Sequence, residues 1–257
     1  MPHRLFRPLL IALALLAAAP AGGDTHCPAD RTDERIRVDF VYDGDTIRLD
    51  DGRSVRLIGL DTPEIGHDGA PTQPFAEQAR TALEKLLIDH PYVRLRYDAE
   101  RQDRYRRTLA HVYLDDGRSV AALLIEQGLA TTLVVPPDLW NIDCYRAAEQ
   151  RAQTGRRGIW TLPAYQPVTS TALATGAQGF HLVRGRVTRV GGSRKSVRLT
   201  LEGGVSLRIE RDDLHYFSTP PEQLHGRTVI VRGWPHPGAE GAPVIRIRHP
   251  AALEVVH

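Results

Sequence analysis

The residues best suited to chemistry fall in one short stretch, 41 to 64, which reads Val-Tyr-Asp-Gly-Asp-Thr-Ile-Arg-Leu-Asp-Asp-Gly-Arg-Ser-Val-Arg-Leu-Ile-Gly-Leu-Asp-Thr-Pro-Glu. Asp43 and Asp45 are two apart, so on an extended backbone they share a face. Asp61 and Glu64 come after a second apolar run, in a turn held by Pro63. Carboxylates that converge from two strand ends, joined by a backbone carbonyl, suit a hard cation of the kind of Ca2+, which tolerates irregular oxygen coordination. Arg56 adds a planar donor fork that matches a phosphate. Glu64 is left over to orient or deprotonate water. Acid, cation and arginine together point to phosphodiester hydrolysis. The competing reading is that Asp-Gly-Asp and Asp-Asp-Gly are turn residues whose charges are simply solvated.

These groups need a scaffold, and the flanking pattern predicts one. Ile47, Leu49, Val55, Leu57, Ile58 and Leu60 surround Asp50-Asp51-Gly52, which is the signature of a β-hairpin with acidic ends. From Pro74, the spacing of Phe75, Ala79, Ala82, Leu83 and Leu86 predicts an amphipathic helix to about Ile88. Residues 91 to 97 alternate as a strand and 107 to 114 form another, so Arg107 stands at a strand start. Helices are expected at 121 to 127, stopped by Gly128, and at 139 to 154, stopped by Gly155. Residues 114 to 120 repeat 49 to 55 letter for letter, but one copy leads into a strand and the other into a helix, so what they share is turn chemistry. A strand meander, a helix, two strands and two helices suit a five-stranded barrel of the oligonucleotide-binding type with packed helices, an α+β, mainly β fold.

Val41 to Thr46, followed by Arg56-Leu57-Ile58-Gly59-Leu60-Asp61-Thr62-Pro63-Glu64, resembles the staphylococcal nuclease (thermonuclease) family. The match continues through Asp103 to Ala110, Gln127-Gly128-Leu129-Ala130 and Gly158-Ile159-Trp160, and so covers roughly residues 35 to 160. The resemblance implies the same barrel fold, with Asp45, Asp61 and the Thr62 carbonyl as Ca2+ ligands. It also implies that Arg56 and Arg107 hold the scissile phosphate, Glu64 is the base and Asp43 supports the ligands from behind. The chain departs from the family in two places. Arg106 stands where a glycine usually precedes the second arginine, and 131 to 136 reads Thr-Thr-Leu-Val-Val-Pro, where the name-giving nuclease has tyrosines that pack on bases.

Past the match, residues 161 to 178 are rich in Pro, Thr, Ala and Gly and read as a linker. Strands are then expected at 182 to 190, 196 to 201, 205 to 210, 228 to 234 and 243 to 248, with a helical or irregular piece at 212 to 224. That pattern predicts a second small barrel over 179 to 257. Its arginines, with Tyr216, Phe217 and Trp234, would give a binding face for single strands or a plain solvated barrel. Because every matched catalytic position precedes residue 161, this second unit is expected to be dispensable for hydrolysis.

The first 21 residues carry Arg4 and Arg7, an apolar run from Leu9 to Ala19 and an Ala-Pro-Ala ending, the form of a cleaved secretory signal. An arm at 22 to 34 follows. Export to the periplasm or beyond is therefore expected, with no membrane attachment after cleavage. Of 33 basic and 31 acidic residues, the signal takes two arginines, so net charge supplies no case for nucleic-acid binding. Cys27 and Cys144 are the only cysteines, and in an oxidising compartment they are expected to pair with each other; free thiols or an intermolecular bond are the alternatives. The sequence thus predicts a monomeric, exported, Ca2+-dependent nuclease acting on DNA, RNA or both. The other class is an inactive scaffold of two barrels that binds nucleic acid or another polymer.

Overall fold

The computed structural model describes residues 27–238 and 241–256; the expected signal segment lies outside them. The first unit contains β1 (Glu34–Val41), β2 (Thr46–Leu49), β3 (Ser54–Leu57), β4 (Leu60–Asp61), α1 (Ala76–Asp89), β5 (Tyr92–Arg96), β6 (Thr108–Leu114), α2 (Val120–Glu126), β7 (Thr131–Thr132) and α3 (Ile142–Thr154). Five of these strands close into a barrel in the order β1-β2-β3-β6-β5, as the sequence pattern predicts. Ile47, Leu49, Val55, Leu57, Val93, Leu95 and Val112 fill it. β6 is buried along its whole length, because it lies between β3 and β5 while α2 packs against it. α1 buries Ala76, Ala79, Leu83 and Leu87. α3 starts three residues later than the periodicity suggests. The Trp140 N–H donates to Asp98, its indole N–H donates to the Tyr113 hydroxyl, and Asn141 has a left-handed φ of 61°, so this segment is held outside the helix.

Two local features hold this unit in shape. At Gly44 a Cβ would lie 2.7 Å from both Ala79 Cβ and Thr62 Cγ2, so glycine is what lets Asp45 come up against Thr62 and α1. A disulfide between Cys27 and Cys144, with Cα atoms 5.7 Å apart, ties the arm to α3. The Asn141 side-chain amide donates to the Cys27 carbonyl beside it.

Residues 161 to 178 hold short 3-10 turns and β8 (Val168–Thr169), which pairs with β9 (His181–Gly192). The second unit continues with β10 (Ser196–Leu201), β11 (Ser206–Glu210), β12 (Thr228–Gly233), β13 (His236–Pro237), β14 (Pro243–Arg246) and β15 (Leu253–Val256). The expected irregular piece is two 3-10 turns, Arg211–Tyr216 and Pro221–Leu224. The run β12-β9-β10-β11-β14 repeats the strand order of the first barrel, including a parallel β11–β14 pair where the first has β3–β6. Here, however, the hydrogen-bonded path does not close. β12 pairs outward with β15 and β14 with β13, so the unit is an eight-stranded sheet with the strand order of a barrel rather than a sealed one. Its core is Val183, Val187, Leu199, Leu207, Ile209, Val229, Val231 and Ile245.

The two units meet across a charged seam. Glu149 on α3 is 1% exposed and accepts two hydrogen bonds from Arg232 on β12, at 2.5 and 2.6 Å. It also accepts from the Thr132 N–H at 2.8 Å and from Arg146 at 2.9 Å. A buried bidentate pair of this kind orients as well as attracts.

Candidate active site

The register of the barrel brings the sequence-predicted residues together. Thr46 pairs with Arg56 across β2 and β3, so Asp45 lies one step from the arginine. Arg56 pairs with Leu109 across the parallel β3–β6 contact, and Arg107, two residues earlier, leaves the start of β6 on the face that carries Arg56. β4 carries Asp61 and is held in place by pairing with β7.

Arg56 is the centre of the cluster. One guanidinium nitrogen lies 2.5 Å from an Asp45 carboxylate oxygen and another 2.9 Å from Asp61, with the arginine side chain 13% exposed. Asp45 is tied on every side. It accepts from the Thr62 N–H at 3.1 Å and hydroxyl at 2.9 Å and from the Thr46 hydroxyl at 3.1 Å, while its own N–H donates to Asp43 at 2.9 Å. Asp43 therefore holds the backbone of Asp45. Glu64 is exposed, and its backbone is pinned to Gln73 by a reciprocal pair of hydrogen bonds at 3.0 and 2.9 Å.

Among the described residues Arg107 has one ion-pair partner, Asp103. Its Nε donates to Asp103 at 2.8 Å and its backbone N–H to the other oxygen of the same carboxylate at 2.9 Å, while a terminal nitrogen makes one long contact of 3.5 Å to the Thr46 hydroxyl. The turn before it is closed by the Arg106 N–H donating to the Asp103 carbonyl, with Arg106 at a left-handed φ of 67°. A side chain is accommodated where the family usually has glycine, because the Arg106 side chain is exposed.

The electrostatics favour added positive charge. Burial pushes the Asp61 carboxyl up to about 7; the Arg56 guanidinium opposes this, and the carboxylates of Asp45 and Glu64 reinforce it. Burial and then the Asp45 charge push Asp43 up to about 6. Among the described residues no three acidic, histidine or cysteine side chains form a metal cluster by themselves. The oxygen-only set of Asp45 and Asp61, within reach of one guanidinium and crowded with negative charge, nevertheless fits a hard cation that also takes a backbone carbonyl.

Sequence reasoning missed Thr46, Gln73 and Asp103. The Asp103-x-x-x-Arg107 spacing was the one available sign of its pair. Thr46 and Gln73 act through contacts that appear only once β2 and the 65 to 75 loop are folded.

A family model described as staphylococcal nuclease homologue matches residues 54–162, a span that includes Arg56, Asp61, Thr62, Glu64 and Arg107. A thermonuclease of Staphylococcus intermedius is 39% identical over 162 residues, covering 59% of this chain and 93% of the relative. The chain belongs to the staphylococcal nuclease family. Endonuclease YncB of Bacillus subtilis is 34% identical over 148 residues, covering 56% of this chain and 69% of the relative. A thermonuclease of Staphylococcus hyicus is 34% identical over 137 residues, covering 52% and 79%. As a member of the staphylococcal nuclease family the protein is a nuclease of the hydrolase class, and residues 163 to 257 lie beyond the family match.

Proposed function

We propose that the protein is an exported, Ca2+-dependent nuclease that hydrolyses phosphodiester bonds of DNA, RNA or both and acts as a monomer. The observation that carries this reading is the meeting of Arg56 with Asp45 and Asp61 on the barrel face from which Arg107 also projects. Asp45, Asp61 and the Thr62 carbonyl would hold Ca2+, which supplies charge neutralisation at the phosphate, with Asp43 fixing Asp45 from behind. Arg56 and Arg107 bind the phosphate and stabilise the charge that builds on its oxygens in the transition state. Glu64, exposed beside this cluster, takes the proton from water. Export is supported by the leader-like first 21 residues and by the disulfide, a bond characteristic of oxidising compartments. A scaffold that only bound nucleic acid would leave Glu64 and the buried Asp45–Arg56–Asp61 cluster without a use.

The test is to incubate the protein with single-stranded and duplex DNA and RNA in Ca2+ and in chelator. Cleavage in Ca2+, lost in chelator and restored by adding the ion back, is expected. Full activity in excess chelator would remove the metal from the reading, and no cleavage of any substrate in Ca2+ would overturn the nuclease assignment.

A further inference from the structure

A cavity of about 380 Å3 lies against the candidate active site, and most of its far wall belongs to the second unit. The volume is within the range of small-ligand sites. Asp61 and Leu133 line it from the barrel; Trp234, Arg246 and Arg248 line it from beyond residue 180. Trp234 is 42% exposed, an unusual position for so large an apolar ring. Its ring is fixed by an edge contact with Phe180 at 5.4 Å, and Phe180 stacks on Tyr165 at 5.6 Å, which in turn meets Trp160 at 5.7 Å. An aromatic ladder thus runs from the last turn of the family match to the cavity. Arg246 is exposed and, among the described residues, has no ion-pair partner. The Glu149–Arg232 pair locks this wall to α3, so the cavity is built into the fold of both units.

A rigid, half-exposed indole beside an unpaired guanidinium is the combination that binds single-stranded nucleic acid: the base stacks and the phosphate pairs. The barrel unit lines the cavity with Asp61, Thr132, Leu133, Val134, Val135 and Arg146, none of them aromatic, so its π-surface comes from beyond the barrel. We propose that Trp234 and Arg246 form a subsite for the nucleotide flanking the cleaved bond, one that favours single strands. A base must leave its stack to lie on Trp234, which an intact duplex does not permit. This inference rests on the nuclease reading for its placement but is tested by binding alone.

The experiment measures anisotropy of a labelled single-stranded oligonucleotide, and of its duplex, on the full chain in chelator, for the parent, Trp234→Ala, Trp234→Phe and Arg246→Ala. Trp234→Ala is expected to weaken single-strand binding about 5- to 150-fold and to erase the preference over duplex, with Trp234→Phe recovering most of both. Arg246→Ala should lower the slope of log affinity against log salt by about one phosphate contact. Parental affinity and parental strand preference in Trp234→Ala would overturn the proposal. So would a loss in Trp234→Ala that Trp234→Phe shares in full while melting at the parental temperature. If the nuclease reading failed instead, no variant would cut in Ca2+ while the binding differences stood.

Discussion

Arg107→Ala separates chemistry from stability more cleanly than Arg56→Ala. The side chain is one-third exposed, and its single strong partner is Asp103, at 2.8 Å. Removing a partly exposed ion pair of this kind costs about 0.2 to 1 kcal/mol, which for a chain of this size lowers the melting temperature by no more than about 4 °C. Among the described residues its terminal nitrogens make one hydrogen bond, the long 3.5 Å contact to Thr46, and the guanidinium lies 5.7 Å from the Tyr105 ring, so its donors are available for a phosphate. Loss of one such donor to a developing oxyanion costs about 2.7 to 4 kcal/mol of transition-state stabilisation, a fall in kcat of roughly two to three orders of magnitude. The two effects differ enough in size to be read separately. Single-turnover cleavage at saturating oligonucleotide in Ca2+, with a melting curve on the same sample, is the assay. Arg56→Ala is a poorer probe because it strands the buried carboxylates of Asp45 and Asp61, a loss of about 3 to 5 kcal/mol when one member of a buried pair is removed. An Arg107→Ala protein that cut at the parental rate would refute the assignment, and Arg106 would become the candidate.

Three further outcomes are expected. Arg106→Gly should raise stability by up to about 1 kcal/mol in urea unfolding, since a left-handed φ of 67° costs a side-chain-bearing residue about 1 to 2 kcal/mol and glycine gives part of that back in entropy; a destabilised variant would show that the turn is not strained. Reducing the Cys27–Cys144 bond, which spans 117 residues, should cost about 4 to 5 kcal/mol in the chain-entropy model, and two alkylated cysteines in non-reduced monomer would rule the bond out. Asp98 is drawn down to about 2 although burial opposes it, by the His111 imidazole 3.5 Å away and by the hydrogen bond from the Trp140 N–H at 2.9 Å, so Asp98→Asn should cost about 2 kcal/mol at neutral pH. Because the folded carboxyl titrates below its ordinary 3.8, that contribution is present above about pH 4 and disappears as pH falls towards 2; parent and variant equally stable at neutral pH would contradict it.

The barrel was legible because its signals are local. The Asp50-Asp51-Gly52 turn between two apolar runs specifies a hairpin, and the stripe of Phe75, Ala79, Ala82, Leu83 and Leu86 specifies α1, in which Ala79 and Leu83 are buried. The first expected core strands fall where the periodicity places them, and Asp43, Asp45, Arg56 and Asp61 converge because they lie within one hairpin and its continuation. What escaped was set at a distance. Gln73 reaches Glu64 only after the loop folds back, and α3 begins late because Asp98, more than forty residues away in the chain, captures the Trp140 N–H.

The second unit shows the same division more sharply. Its strands alternate clearly enough to be found, yet closure of a sheet depends on which edges meet, and β15 and β13 occupy the edges of β12 and β14. Its dispensability for hydrolysis follows if function is located only where family motifs lie. The Glu149–Arg232 pair joins residues 83 apart in sequence and carries Trp234, two positions after Arg232, to the cavity wall opposite Asp61. No periodicity or motif encodes that juxtaposition. The charge on Glu149, a helix residue in an otherwise apolar packing face with Ala148 and Ala152, is its only local trace: a buried carboxylate needs a partner, and here the partner comes from the other unit. The part of the site that would choose between substrates is thus specified by a contact between units, while the part that cleaves is specified within one hairpin and the strand beside it.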